Sequence, residues 1–159
     1  MNPIIKIEHL AAGYEGKEVL HDVNLTIYQD DYLGIIGPNG GGKTTLMRLI
    51  LGLMNPTEGN ISYYKDGKPA KEITMGYLPQ YNDLDKQFPI SVYEVVLSGL
   101  NKSKSLFARF SKEHHQLVAD TLDRMQLYDL KDRHIGALSG GQLQRVLLAR
   151  AIVSKPDVV

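Results

Sequence analysis

The sequence predicts an α/β fold, and three observations carry that prediction. A glycine-rich loop at residues 37–45 follows a short apolar run at 32–36 that reads as a buried strand. An amphipathic helix is predicted directly after the loop, at residues 46–53. Further strands are predicted before and after this unit, and helices dominate from residue 91 onward. We therefore expect a phosphate-loop core, an antiparallel β portion near the N-terminus and an α-helical insert.

The N-terminal half shows the strand pattern. Residues 4–10 and 19–28 are predicted strands, because apolar and polar side chains alternate along them, and residues 13–16 between them form a turn. Asp30 and Asp31 turn the chain into the run at 32–36. Residues 55–60 end the first helix. Two more strands are predicted at 61–64 and 73–78, with a turn at Asp66 and Gly67.

Helix signals dominate the second half. Ser91 is placed to cap a helix, with Glu94 at the reciprocal position of a capping box. A second helix is predicted at 112–125, and a third opens at residues 138–142 with Ser139 as its N-cap. It ends near Lys155, and residues 157–159 resemble the start of a strand. We expect a core formed by residues 1–90 and 137–159, with a helical subdomain at 91–136.

The composition excludes several classes of function. The 159 residues carry 18 Lys and Arg against 18 Asp and Glu, for a formal net charge of +0. This balance gives no electrostatic footprint for nucleic acid. There is no cysteine, which excludes disulfides and thiolate metal sites. No apolar run approaches the roughly 20 residues of a membrane span, and no secretion signal is visible, so a cytoplasmic location is expected.

The glycine loop fits the phosphate-binding pattern G-x-x-x-x-G-K-[ST]. Glycines allow successive backbone N–H groups to point into one concavity, and the following helix adds the positive end of its dipole. Lys43 supplies a mobile charge for the outer phosphates, and the Thr44 hydroxyl is a ligand for Mg²⁺. The pattern therefore predicts a nucleoside triphosphate with magnesium, bound by Gly37, Pro38, Asn39, Gly40, Gly41, Gly42, Lys43, Thr44 and Thr45.

A second glycine pair lies at the predicted start of the third helix, where Ser139, Gly140 and Gly141 precede Gln142. This segment taken alone fits two interpretations equally well, an anion-binding helix start and an ordinary helix start. With the other motifs, however, the sequence resembles the ATP-binding cassette (ABC) family of transporter ATPases over essentially its whole length. The glycine loop matches the Walker A motif, and residues 138–142 match the signature motif. Gln80 matches the Q-loop, and Tyr14 matches the aromatic position that stacks on adenine.

The resemblance implies a role for each matched residue. Tyr14 would stack on the base, Lys43 and the loop backbone would hold the phosphates, and Thr45 would support the α-phosphate. Gln80 would reach the magnesium, which Thr44 also binds, and the attacking water. Ser139, Gly140, Gly141 and Gln142 would bind the ATP held by a second copy of the subunit in a head-to-tail dimer.

The resemblance also implies partners and a location. The subunit would lie on the inner face of the cell membrane against an integral permease, served indirectly by a substrate-binding protein. Residues 85–92 and 95–99 are similar to the branch that serves zinc, manganese or iron importers. The alternatives are another ABC importer or exporter, an ABC protein of repair or translation without a permease, and a nucleotide-binding module that does not turn over.

Two departures from the family pattern are visible. Leu143 stands where Arg or Gln is usual after the signature motif. The family's Walker B strand, its magnesium-binding Asp, its catalytic Glu and its switch His would follow residues 157–159, so the cassette is expected to be incomplete within these 159 residues. We expect the chain alone to bind ATP and to hydrolyse it weakly or not at all.

Two other groups of residues have simpler interpretations. His114 and His115 could suggest a metal site, but adjacent helical residues do not share a face, so a solvated surface is favoured. A loose basic stretch could contact lipid or a permease, although a solvated loop is favoured here too. It comprises Lys102, Lys104, Arg109 and Lys112.

Overall fold

The computed structural model describes residues 2–79, 88–101 and 109–159. Two compact units are present, Met1–Ile73 and Thr74–Val159. Strands and a helix form the first unit and helices form most of the second, which confirms the predicted α/β class. The elements are β1 (Pro3–Tyr14), β2 (Lys17–Tyr28), α1 (Lys43–Ile50), β3 (Glu58–Lys65), β4 (Lys68–Ala70), α2 (Val92–Ser98), α3 (Lys112–Arg124) and α4 (Gly140–Ile152).

The first unit contains a four-stranded antiparallel sheet in the order β2-β1-β3-β4. The inner strand β1 buries Ile5, Ile7 and Leu10. Both hairpin turns place two successive residues at positive φ, which matches the right-handed twist of the flanking strands. These residues are Glu15 and Gly16 before β2, and Asp66 and Gly67 before β4. The predicted N-terminal antiparallel portion and the turn at Asp66 and Gly67 are confirmed. The turn predicted at 13–16 is confined to Glu15 and Gly16, because Gly13 and Tyr14 pair with β2.

Helix α1 packs within this first unit through Leu46, Leu49 and Ile50, which are all buried. The Tyr63 hydroxyl of β3 donates a hydrogen bond to the Ile50 carbonyl at 2.9 Å. The helix was predicted over 46–53, but it begins at Lys43 and ends at Ile50. It ends early because Gly52 adopts φ of 68°, a left-handed conformation that commonly terminates a helix.

The second unit is built around a buried cluster shared by α2, α3, α4 and the short 3-10 helix Ile135–Ala137. Leu130, in a second 3-10 helix at Tyr128–Leu130, is partly buried against this cluster. Helix α2 begins with the predicted capping box of Ser91 and Glu94, which is confirmed. Helix α3 ends one residue earlier than predicted. The cluster comprises Val92, Val95, Val96, Leu100, Val118, Leu122, Leu127, Ile135, Leu138, Leu143, Val146, Leu147, Ala149 and Val153.

Two predicted strands are wrong in this structure. Residues 32–36 form no strand, and Tyr32 and Ile36 are 100% and 95% exposed. Residues 73–78 form only an isolated parallel bridge between Met75 and Val158, the latter within the predicted C-terminal strand. A strand needs a neighbour for its backbone N–H and C=O groups. Among the residues that the structure describes, neither apolar run is paired along its length.

Candidate functional site

The glycine loop has the backbone conformation that its sequence predicts. Gly40 and Gly42 adopt φ of 80° and 82°, in the left-handed region that residues with a Cβ rarely occupy. The Gly41 N–H donates to the Pro38 carbonyl at 3.1 Å, which closes a tight turn. The loop therefore curls back on itself immediately before α1.

Lys43 is folded back over this loop. Its ammonium donates hydrogen bonds to the carbonyls of Gly37 and Pro38, both at 2.7 Å. A lysine ammonium has three donors, so these two contacts leave one N–H for another acceptor. The loop thus holds a positive charge at its mouth.

The start of α1 adds to this positive potential. Its N-cap is Gly42, which has no side chain to accept from the first-turn N–H groups, and no acidic residue lies in the first turn. Four N–H groups at a helix start lack partners within the helix, and they carry the positive end of the helix dipole. Thr44 is exposed at this end, whereas Thr45 is buried. These features together suit the binding of a phosphate group.

Tyr14 at the end of β1 reaches the same helix. The Arg48 guanidinium donates to the Tyr14 hydroxyl at 3.4 Å. Hydrogen bonding by the Thr45 side chain, and then by Arg48, lowers the pKa of the Tyr14 phenol below its ordinary value. Arg48 belongs to none of the motifs recognised in the sequence. Its spacing of three from Thr45 places both on one helix face, but no local pattern indicates that this face contacts Tyr14.

The second glycine pair, in the other compact unit, opens α4 as predicted. The Ser139 hydroxyl accepts from the Gln142 N–H at 3.3 Å, and the Gln142 side chain accepts from the Ser139 N–H at 2.9 Å. This capping box fixes the helix entrance. Apart from its chain neighbours and the backbone of α4 itself, a Cβ added at Gly140 or Gly141 would meet no described atom within 4 Å, so packing among the described residues does not require glycine at either position.

Gly141→Ala is therefore expected to stabilise the fold. Alanine is favoured over glycine inside a helix by about 0.5–1 kcal/mol, and the site has room for the methyl group. The thermal midpoint should rise by a few degrees when followed by circular dichroism. The matched control is Gly99→Ala, whose methyl would collide with the Arg150 carbonyl and should lower the midpoint. A lower midpoint for Gly141→Ala would contradict the open geometry described here.

Comparison with known proteins assigns the family. The sequence model of the family described as ABC transporter matches residues 20–159, which is most of the chain. The chain belongs to the ABC transporter family. Its glycine loop and second glycine pair both lie within the matched residues.

Individual relatives agree with this assignment. The chain is 43% identical over 149 residues to a Chlamydia pneumoniae protein named as a probable metal transport system ATP-binding protein, covering 92% of this chain and 61% of that protein. It is 36% identical over 157 residues to the high-affinity zinc uptake system ATP-binding protein ZnuC of Bacillus subtilis, covering 98% of this chain and 68% of that protein. The chain thus spans about three fifths of the length of the first of these relatives.

A solved structure gives the same result for the fold. An inward-facing structure of a proposed metal-chelate type ABC transporter superposes with a TM-score of 0.84 at 33% identity. The match covers 98% of this chain and 58% of the solved one. Within the described residues of the present chain, no helix combines the length and hydrophobicity that crossing a bilayer requires.

The remaining residues singled out from the sequence are placed as follows in the fold. Gln80, Lys102 and Lys104 lie outside the described residues. Leu143, where the family usually has a polar residue, is buried in the helical core, which gives its apolar character a packing reason. Asp157 contacts Thr74, whose N–H donates to its carboxylate at 2.8 Å.

The two adjacent histidines are both engaged within the second unit. His114 accepts from the Ser111 N–H at 3.0 Å at the start of α3. His115 hydrogen-bonds to the Tyr93 hydroxyl, and the two rings stack. Across the part of the chain that the structure describes, no group of three or more His, Asp or Glu side chains is arranged to hold a metal ion.

Proposed function

We propose that the chain is the nucleotide-binding part of an ABC ATPase subunit that drives import of a divalent metal ion or metal chelate. The observation that carries the proposal is the Lys43 ammonium, held at 2.7 Å by two carbonyls of its own glycine loop beside the uncapped start of α1. This arrangement concentrates positive charge and N–H donors at one point. A nucleoside triphosphate supplies the matching negative charge.

The roles follow from the chemistry of each group. Backbone N–H groups from Asn39 to Gly42 would donate hydrogen bonds to the phosphate oxygens, and Lys43 would neutralise the outer phosphates. Thr45 would support the α-phosphate, and the Tyr14 ring would stack on the base. Gln80 would orient the attacking water.

Magnesium would be held by Thr44 and Gln80 together with the phosphates. The exposed Thr44 hydroxyl at the start of α1 is a hard oxygen donor of the kind that Mg²⁺ prefers, so the residue fits that role. When bound, the ion would neutralise phosphate charge in the reaction. The contribution of the chain itself is to place the hydroxyl next to the phosphate-binding N–H groups.

The second glycine pair would serve a neighbouring subunit. Gly140 and Gly141 have open space where a Cβ would lie, and the capping box of Ser139 and Gln142 fixes the backbone around them. A phosphate bound on a second copy could therefore approach this helix start closely. We propose that two copies form a head-to-tail dimer in which each ATP contacts the Walker A motif of one copy and the signature motif of the other.

The wider assembly follows from this dimer. The subunit would lie on the cytoplasmic face of the membrane, where closing and opening of the dimer would move an integral permease supplied by a substrate-binding protein. Hydrolysis is proposed for the whole protein, because the chain spans about three fifths of its relatives' length. Nucleotide binding is proposed for the residues present here.

The metal cargo is supported by the names of the relatives. One functions in zinc uptake in Bacillus subtilis, and another, 37% identical over 154 residues, is the manganese transport protein MntB of the same organism. The similarity of the sequence at 85–92 and 95–99 to the branch that serves zinc, manganese or iron importers supports the same kind of cargo.

Uptake measurements test this proposal. The full-length gene, expressed with its permease in bacteria that lack their own zinc and manganese importers, should restore uptake of labelled zinc or manganese. The Lys43→Ala version should not restore it. If the intact system takes up neither metal while the purified protein still binds ATP, zinc and manganese are contradicted as the cargo and nucleotide binding remains in place.

A further inference from the structure

The Tyr14 hydroxyl connects two elements that are far apart in sequence. Tyr14 ends β1, whereas Arg48 lies 34 positions later on α1, and its guanidinium reaches the phenol at 3.4 Å. Thr45, one turn earlier on the same helix, is buried. Tyr14 as a whole remains 44% exposed. The residue is thus held by its polar end while much of it stays accessible.

A separate contact fixes the hairpin that carries Tyr14. A Cβ built on Gly42 would lie 2.6 Å from the Leu20 Cδ2 atom and 3.3 Å from the Val19 Cγ1 atom. Strand β2 therefore lies directly against the last glycine of the phosphate loop. Because Tyr14 pairs with Lys17 at the start of the same strand, its backbone position relative to the loop is fixed as well.

With the backbone fixed, the remaining freedom of Tyr14 lies in its side-chain torsions. We propose that Arg48 is a positioning residue that sets the orientation of the Tyr14 ring for stacking against the nucleotide base. The inference rests on the proposed function, since it assumes that a base lies on this ring. Holding the ring before the ligand arrives removes part of the ordering cost of binding.

The size of the effect follows from the contact. One hydrogen bond at a partly exposed site, near the long limit for a hydrogen bond, has a modest net value. We expect its loss to weaken ATP binding about three- to tenfold. The loss should be confined to ligands that carry a base, because Lys43 and the loop N–H groups do not depend on Arg48.

A double-mutant cycle in the 159-residue chain tests this inference by calorimetry. The variants are Tyr14→Phe, Arg48→Met and the double substitution, and the probes are Mg-ATP and base-free tripolyphosphate with Mg²⁺. Each single substitution should weaken ATP binding about three- to tenfold. The double variant should bind ATP as tightly as whichever single variant binds it less tightly, because both substitutions remove the same contact. Tripolyphosphate affinity should not change in any variant. Arg48→Lys, which retains a donor, should recover part of the ATP affinity.

The outcomes separate this inference from the proposed function. Wild-type ATP affinity in Arg48→Met, or an equal loss for ATP and tripolyphosphate, would overturn the positioning role and leave nucleotide binding intact. Absence of ATP binding by the unsubstituted chain, or ATP binding that is indifferent to Lys43→Ala, would overturn both. If Arg48→Met does not fold, Tyr14→Phe decides, because unchanged ATP affinity in that variant also overturns the inference.

Discussion

Lys43→Ala is expected to weaken ATP binding by at least about a hundredfold, equivalent to roughly 2.7 kcal/mol. The ammonium is held at the mouth of the loop by the Gly37 and Pro38 carbonyls, so it is in place before a ligand arrives. Its loss removes both a full positive charge and charge-assisted hydrogen bonds to phosphate. Calorimetric titration with Mg-ATP measures the effect directly.

The control for this change is Lys71→Ala. Lys71 is exposed and lies outside the loop, so the same loss of one positive charge should leave ATP affinity within about twofold. Circular dichroism should show that both variants remain folded, because the Lys43 ammonium donates its hydrogen bonds to carbonyls of its own loop. Equal affinities for Lys43→Ala and the unsubstituted chain would refute the assignment of the loop.

Leu122→Ala is expected to cost about 3 kcal/mol of folding free energy. Leu122 is 0% exposed on α3 and lies in the buried cluster that unites the helices of the second unit. Removing three carbons there loses transfer free energy and leaves a cavity that close-packed neighbours fill only in part. The thermal midpoint of the helical signal should fall by roughly 6–12 °C.

Leu53→Ala provides the matched control, because it makes the same chemical change at a side chain that is 69% exposed. Its expected cost is below about 0.5 kcal/mol, since little buried surface is lost. Similar midpoints for the two variants would show that the helical cluster does not limit the stability of the unit.

The features that the sequence predicted well are governed by neighbouring residues. The capping box of Ser91 and Glu94 and the N-cap at Ser139 depend on side chains three positions apart. The turn at Asp66 and Gly67 depends on the tolerance of those residue types for positive φ. Each of these could be read without knowing what lies elsewhere in the fold.

The features that failed depend on distant partners. Residues 32–36 have the apolar character of a buried strand, yet Tyr32 and Ile36 are exposed, since no described strand pairs with them. Apolar content predicts that a segment tends to be buried and does not supply the neighbour that buries it. The run at 73–78 shows the same limit, with Met75 alone bridged.

The candidate site shows this division as well. The glycine loop could be predicted from its pattern, and its left-handed glycines and the inward Lys43 match the mechanism inferred for it. The contact of Arg48 with Tyr14 could not, because it joins a strand end to a helix 34 residues away. A phosphate-binding loop formed by consecutive residues can therefore be predicted from sequence. Contacts between residues that the fold brings together can be identified only from the three-dimensional structure.

In the proposed dimer, each ATP is shared between the glycine loop of one subunit and the signature motif of another. Mixing two full-length variants tests it most directly, with Lys43→Ala in one protomer and Gly141→Asp in the other. Neither variant alone should dimerise with ATP, because every site would lack a working half. The mixture should form an ATP-dependent heterodimer by size-exclusion light scattering, because one site in it combines two intact halves. Failure of the mixture to dimerise under conditions where the unsubstituted protein does, or ATP-driven dimers of either variant alone, would contradict the shared site.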